Sequence, residues 1–545
     1  MSKKNKDKIS TNHADGRVEV IATSQGEAYF YIPEDSKHIR TRVTTVPIIL
    51  VFGHEKYNEE SAKQTAVESG LAEIADREGS IVAFINPEGE SWRPSDVNSY
   101  NEVLSKFTEN ERIATITGDG PYPGWFERIY VYAEGSGADF VAENLAKEVL
   151  YEQQPPWGTR DATPAFITLF NNTVLPASPD PAFGQDIPII AVNPVEGTEE
   201  RLKALNEKNN LYAVKTSEVT KGFVKDIVLS TYEELSGTTR RLESVIIRVP
   251  NYEAEGIKET IEVRELSTGP IRYREYIPND LDLDKESTIP LVITFHGGGN
   301  TAEHQAWVSE WPLVGKKHGF MVVSVDRHVE RTASDMIELL EILFKEYPAI
   351  DKTRVYATGF SMGGVKTWNL GAKFPQYFAA IAPWGAGFIP EDAKEFIPAK
   401  SNPELIEQLE MLPYTLPLFY IAGGTSPLPE LPSQPEKNIM DDALAFFLKM
   451  NKVVERYEYD ESEDKTWGIA PTKTYSLHNE VLDFNTVVSL YPSEDNQIYT
   501  ALAVDVEKSH VVHGMNSWIT WDFIRRFSRD SDGRIIITKS DDGSE

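Results

Sequence analysis

Short, unbroken apolar runs recur along this chain in the same order twice, and this pattern constrains the fold more than any other feature. Val46-Pro-Ile-Ile-Leu-Val-Phe52 is echoed by Ile289-Pro-Leu-Val-Ile-Thr-Phe295, and Gly79-Ser-Ile-Val-Ala-Phe-Ile85 by Gly319-Phe-Met-Val-Val-Ser-Val325. Tyr31-Ile-Pro-Glu-Asp35 matches Tyr276-Ile-Pro-Asn-Asp280, and Val131-Tyr-Ala-Glu-Gly135 matches Val355-Tyr-Ala-Thr-Gly359. Runs of this kind read as strands covered on both faces of a parallel sheet. Between them, Glu60–Glu78 and Ser334–Tyr347 place apolar residues three to four apart, as helices packed on a sheet do. Strand–helix–strand alternation gives an α/β architecture with crossover helices. The expectation is two α/β domains of similar plan, at 18–240 and 241–530, with a disordered tail at 1–17 and a polar tail at 531–545.

Charge and composition narrow the partners. The net charge of −31 repels phosphate backbones and anionic lipid, so neither nucleic acid nor a membrane surface is an expected partner. The chain has no cysteine, which excludes thiolate nucleophiles, disulfides and cysteine-bound metals. No stretch approaches the roughly 18 apolar residues of a membrane span. The basic start, Met1-Ser-Lys-Lys, is not followed by an apolar core, so the expected location is cytoplasmic.

The chemistry concentrates in the second half. Arg354-Val-Tyr-Ala-Thr-Gly-Phe-Ser-Met-Gly-Gly364 contains a G-x-S-x-G pattern led in by the strand Val355–Thr358 and led out by a helical stretch, Gly364–Lys373. In that context Ser361 is a candidate nucleophile on a strained turn, and the glycines leave room where β-carbons would clash. Upstream, Phe295-His296-Gly297-Gly298-Gly299 ends an apolar strand. Backbone N–H groups of the Gly297–Gly298 turn, with that of Met362, form a candidate oxyanion hole, and His296 is expected to fix the loop.

The partner base should be a histidine following the serine, after an intervening acid. Only His478, His510 and His513 follow Ser361. His478 lies in an inserted, strand-rich stretch between Tyr457 and Tyr499, expected to add strands to the fold. His510 stands between the strand Tyr499–Val506 and the helix Ser517–Phe527, and is preferred to His513. No aspartate occurs after the strand Leu416–Ala422, where the acid is expected; Glu430 is the nearest carboxylate. Glu391, Asp392, Asp441 and Asp442 are alternatives. Trp307 and Trp384 are candidate substrate-binding walls.

The run Ile350-Asp-Lys-Thr-Arg-Val-Tyr-Ala-Thr-Gly-Phe-Ser-Met-Gly-Gly, followed by Phe374-Pro-Gln-Tyr-Phe-Ala-Ala-Ile-Ala-Pro383, resembles the polyhydroxybutyrate depolymerase and feruloyl esterase-like group of α/β-hydrolases. His510-Val-Val-His-Gly-Met and Trp521-Asp-Phe-Ile-Arg-Arg-Phe527 resemble its closing histidine-plus-helix pattern. The resemblance spans about residues 270–530 and departs where Ser426 stands in place of the group's aspartate. Taken with the internal repeat, it implies two tandem α/β-hydrolase-like domains, the first degenerate, and a serine ester hydrolase acting on a small or oligomeric ester without metal or organic cofactor. A peptidase, an acyltransferase and a catalytically silent scaffold are the alternatives on this fold.

The first half lacks that chemistry. Matching Val131-Tyr-Ala-Glu-Gly135 to Val355-Tyr-Ala-Thr-Gly359 sets Gly137 opposite Ser361. Its corresponding oxyanion strand ends Phe52-Gly-His54, and no histidine lies between His54 and His296. A non-catalytic domain is expected, which covers the site, holds a homo-oligomer together or binds substrate.

Overall fold

The computed structural model describes residues 16–24, 26–33, 46–108, 122–152, 159–177, 187–206, 211–241, 245–248, 250–298, 300–393, 403–426, 428–434, 438–479 and 484–538. The expected N-terminal tail, apart from 16–17, lies outside these residues, as does Gly299. The chain divides into two compact units, Met1–Val249 and Pro250–Glu545.

In the first unit an antiparallel pair, β1 (Arg17–Thr23) and β2 (Gly26–Ile32), precedes the strands β3 (Pro47–Phe52), β4 (Ile81–Ile85), β5 (Trp125–Glu134), β6 (Phe166–Phe170), β7 (Ile189–Val192) and β8 (Tyr212–Lys215). Their order in the sheet is β1-β2-β4-β3-β5-β6-β7-β8, parallel from β4 onward. Both faces are covered, which is why the strands read as continuous apolar runs. Ile48, Leu50 and Phe52 enter one core cluster, while Ile49 and Val51 enter another on the opposite face. The helix α1 (Ser136–Asn144) follows β5 directly.

The second unit repeats this plan on a larger scale. Its strands are β9 (Ile257–Leu266), β10 (Gly269–Pro278), β11 (Ile289–Phe295), β12 (Met321–Val325), β13 (Ile350–Phe360), β14 (Ala380–Trp384), β15 (Leu418–Gly423), β16 (Lys473–Asn479), β17 (Phe484–Pro492) and β18 (Ile498–Asp505). They are ordered β9-β10-β12-β11-β13-β14-β15-β18-β17-β16. From β12 to β18 the pairing is parallel, and the crossovers carry helices such as α2 (Ala333–Glu346), α3 (Met362–Lys373) and α4 (Asn438–Met450). The insertion containing His478 supplies β16 and β17, an antiparallel extension beyond β18.

The helix α5 (Gly514–Ile524) follows the His510 loop and is continued by a hairpin, β19 (Phe527–Arg529) with β20 (Ile535–Ile537). Residues 531–538 therefore belong to the folded unit rather than to a polar tail. The buried Arg529 secures the hairpin by donating to the Phe378, Thr415 and Gly533 carbonyls. Among the described residues no helix is long and apolar enough to cross a membrane.

Candidate active site

The strand β13 runs straight into α3 through a single residue, Ser361, with φ 54° and ψ −113°. This region of backbone space costs a side-chain-bearing residue on the order of 1–3 kcal/mol and persists only where its surroundings enforce it. Here the Ser361 N–H donates to the Trp384 carbonyl on β14 (2.9 Å), and Val365 N–H donates back to the Ser361 carbonyl (3.0 Å). The surrounding glycines are obligatory. A β-carbon on Gly359 would lie 2.5 Å from the Gly363 carbonyl, and one on Gly364 would lie 2.6 Å from the Trp384 oxygen. One on Gly363 would collide with the Phe295 carbonyl at the end of β11.

That close approach also brings the glycine turn after β11 onto the start of α3. A β-carbon on Gly298 would stand 3.0 Å from Met362 Cγ, and one on Gly297 3.2 Å from the Phe360 ring. The first N–H groups of a helix have no intrahelical acceptor. His296 anchors the turn without facing solvent. Its Nδ1–H donates to the Gly297 carbonyl (2.7 Å), and its Nε2 accepts the Arg327 N–H (3.2 Å). Burial pushes this imidazole down to about 4, so it stays neutral at physiological pH. His328 in turn donates from Nε2 to the His296 carbonyl (2.7 Å).

His510 lies in the loop between β18 and α5, its ring 4.6 Å from that of Phe360, the residue before Ser361. The turn Gly423-Gly424 at the end of β15 packs directly on this loop. Gly424 N–H donates to the Asp505 carbonyl (2.9 Å) and Thr425 N–H to the Lys508 carbonyl (2.8 Å). A β-carbon on Gly423 would strike the Ser509 carbonyl, so only glycine permits the approach.

Across that contact His510 Nδ1 meets Glu430 Oε1 at 2.5 Å. Glu430 is 1% exposed, and a buried carboxylate demands donors on its lone pairs. Oε2 takes the Gly423 N–H (2.8 Å), and Oε1 also takes the Ser426 hydroxyl. Its own N–H donates to Gln434 Oε1 (2.7 Å), whose amide donates to the Ser426 carbonyl (2.6 Å).

The other candidates lie elsewhere. His513 is buried at the start of α5, its Nε2 3.0 Å from Asp505 Oδ2, which also accepts from Asn516 (3.0 Å). Glu391 is bound by Lys366 (2.8 Å) and Lys373 (3.1 Å), and Asp392 by Lys373 (3.2 Å). Asp441 and Asp442 sit on α4, where burial, with Asp441 alongside, pushes the Asp442 carboxyl up to about 6. The Trp384 ring is core: it stacks on Trp311 at 5.9 Å and donates to Thr520 (3.2 Å), and the residue serves the elbow through its backbone oxygen. Trp307 is buried in the helix Ala302–Ser309. His478 is exposed on the edge strand β16. Gly423 and Gln434 form part of the acid's setting but carry no sequence motif that marks them.

The first unit carries the same turn with different contents. Gly135, with φ 58° and ψ −124°, occupies the place of Ser361. Its N–H donates to the Phe170 carbonyl (2.9 Å), as Ser361 does to Trp384. Gly137 corrects to the counterpart of Gly363, since its β-carbon would stand 2.6 Å from the Phe52 carbonyl at the end of β3. Pairing explains the two-residue slip: Phe52 sits opposite Ala133, whereas Phe295 sits opposite Gly359. A β-carbon at Gly135 would meet the His54 imidazole at 2.8 Å, and Ser136 N–H, the counterpart of Met362 N–H, donates to His54 Nδ1 (3.3 Å).

No family model matches the chain. It is 29% identical over 103 residues to the bifunctional acetylxylan esterase/xylanase XynS20E of Neocallimastix patriciarum, covering 17% of this chain and 15% of that protein. It is 25% identical over 146 residues to poly(3-hydroxyalkanoate) depolymerase C of Paucimonas lemoignei, covering 23% and 34%. The chain thus spans about a third or less of the length of these curated relatives. Among solved structures, the acetyl xylan esterase from Aspergillus awamori aligns at 14% identity over 49% of this chain and 99% of its own, with a TM-score of 0.35. On the elbow sequence, the strand order and the two curated relatives, the chain is similar to the polyhydroxybutyrate depolymerase and feruloyl esterase-like group of α/β-hydrolases.

Proposed function

We propose that the second unit is a serine carboxylic-ester hydrolase working through an acyl-enzyme on a small or oligomeric ester of the hydroxyalkanoate or feruloyl type. The observation that carries this reading is the buried Glu430 held 2.5 Å from His510 Nδ1, beside the strained elbow that presents Ser361. In this account Ser361 Oγ attacks the ester carbonyl as His510 Nε2 takes its proton. Glu430 keeps the proton on Nδ1, so Nε2 is the basic nitrogen, and it stabilises the imidazolium that forms. The N–H of Met362 and one from the Gly297–Gly298 turn receive the tetrahedral oxyanion, and each such donor is typically worth about 3–4 kcal/mol. His510 then protonates the leaving alkoxide, and water repeats the sequence to release the acid.

In the first unit we infer a non-catalytic domain. No hydroxyl occupies the elbow, and the N–H that would receive an oxyanion is already bonded to His54. The test is hydrolysis of p-nitrophenyl acetate and butyrate by the full chain and by Ser361→Ala. Loss of turnover with the serine is expected; unchanged turnover would overturn the assignment.

A further inference from the structure

We propose that Ser426 is a positioning residue for Glu430, so that the two together do what one aspartate after β15 would do. The proposal rests on the reading of Ser361, His510 and Glu430 given above.

Three observations converge on it. Ser426 is buried and lies directly after the Gly423-Gly424-Thr425 turn, which packs on the His510 loop. Its Oγ accepts the Leu428 N–H (3.1 Å). With that donor in place, the hydroxyl's one proton is directed to Glu430 Oε1, the same oxygen that faces His510 Nδ1. Ser426 Oγ and His510 Nδ1 thus meet on one oxygen atom.

The longer glutamate reaches this point from the far side of the loop, four residues later. Its side chain has three rotatable bonds, and a longer side chain loses more rotamer freedom when held in one position. Here two donors fix the carboxylate plane: Ser426 on Oε1 and Gly423 N–H on Oε2. The loop itself is braced by Gln434, which bonds the Glu430 and Leu431 N–H groups and the Ser426 carbonyl, and by Pro429 and Pro432. Without the hydroxyl, Oε1 is held by His510 alone, and the carboxylate can pivot about its Gly423 bond together with the imidazole. Geometric tolerance at a catalytic site is small, so this loss should appear in turnover rather than in substrate binding.

The experiment compares kcat and KM for p-nitrophenyl butyrate in the full-length protein across four variants, with thermal melts to establish folding. Ser426→Ala should lower kcat roughly tenfold with KM unchanged, and Ser426→Thr, which keeps the hydroxyl, should restore most of it. Glu430→Ala should lose on the order of 10³-fold in kcat. The double variant Ser426→Asp/Glu430→Ala should recover at least tenfold over Glu430→Ala, because the aspartate fills the vacated place next to His510. That rescue would show that position 426 reaches His510, while the fall of kcat at constant KM in Ser426→Ala is what a merely structural serine would not give. Ser426→Ala with unchanged kcat, or a double variant no better than Glu430→Ala, would overturn the proposal while leaving the site assignment standing. Ester turnover that survives Ser361→Ala would overturn the site assignment itself.

Discussion

Replacing Glu430 with glutamine keeps the shape of the side chain and removes its charge, so it isolates what the acid contributes. The carboxylate accepts from three groups: His510 Nδ1, the Ser426 hydroxyl and the Gly423 N–H. A glutamine retains one acceptor oxygen. If that oxygen stays on Gly423, the amide NH₂ faces His510, and the imidazole must turn to its Nε2–H tautomer to accept it. In the proposed mechanism Nε2 is the base, and it would then carry a proton and could not act as one. The charge term points the same way. For a carboxylate and an imidazolium whose charge centres lie about 4 Å apart, at an effective dielectric of about 20, the attraction is about 4 kcal/mol. That energy corresponds to about 10³ in rate, and the wrong tautomer adds to it, so kcat should fall by roughly 10³–10⁴. KM should change little, because Glu430 is buried behind the histidine. The assay is p-nitrophenyl butyrate turnover with a thermal melt on the same sample. A folded Glu430→Gln protein within threefold of wild-type kcat would refute the reasoning.

The two histidines should separate cleanly. His510→Ala should lose about 10³-fold or more in kcat, whereas His513→Ala, which strips a donor from the buried Asp505, should cost about 1–3 kcal/mol of stability and little turnover, read by kinetics and denaturant melts. Gly363→Ala should drive a β-carbon into the Phe295 carbonyl and lower stability by about 3 kcal/mol or more, seen as a melting temperature lower by roughly 5–10 °C. His296 should make the second unit acid-sensitive. Its folded value of about 4 lies below the ordinary histidine value near 6.5, so its contribution is intact above about pH 6.5 and is lost as pH falls towards 4. The loss amounts to about 3 kcal/mol, because burial disfavours the charged ring; protonation would also turn an N–H on the Arg327 N–H. A melting temperature that stays flat from pH 7 to pH 4.5 would contradict this.

What the sequence makes legible is what is local. The elbow is set within one strand–turn–helix, and its glycines are demanded by contacts that any such turn makes with the preceding strand, so Ser361 can be placed from spacing alone. The sheet follows from apolar runs that only a doubly covered strand tolerates. The acid is different. Glu430 reaches His510 because Gly423 and Gly424 let two backbones touch and Gln434 braces a proline-rich loop, and no periodicity records such a contact. Trp384 shows the converse. An aromatic beside a catalytic strand suggests a pocket wall, yet its ring is taken up by Trp311 and Thr520. In the first unit the repeat of Val-Tyr-Ala-x-Gly misplaces the elbow by two residues. Apolar strands slide past one another without a penalty in composition, and only the pairing of Phe52 with Ala133 sets the register.

On the proposed reading, Ser361 is an activated nucleophile and no serine among the described residues of the first unit is one. The most direct measurement is to treat the full chain with a fluorophosphonate and map the modified peptide by mass spectrometry. One adduct is expected, on Ser361, which disappears in Ser361→Ala and forms far more slowly in His510→Ala. An adduct on Ser136 or elsewhere in the first unit, or an unmodified Ser361 in folded protein, would contradict it.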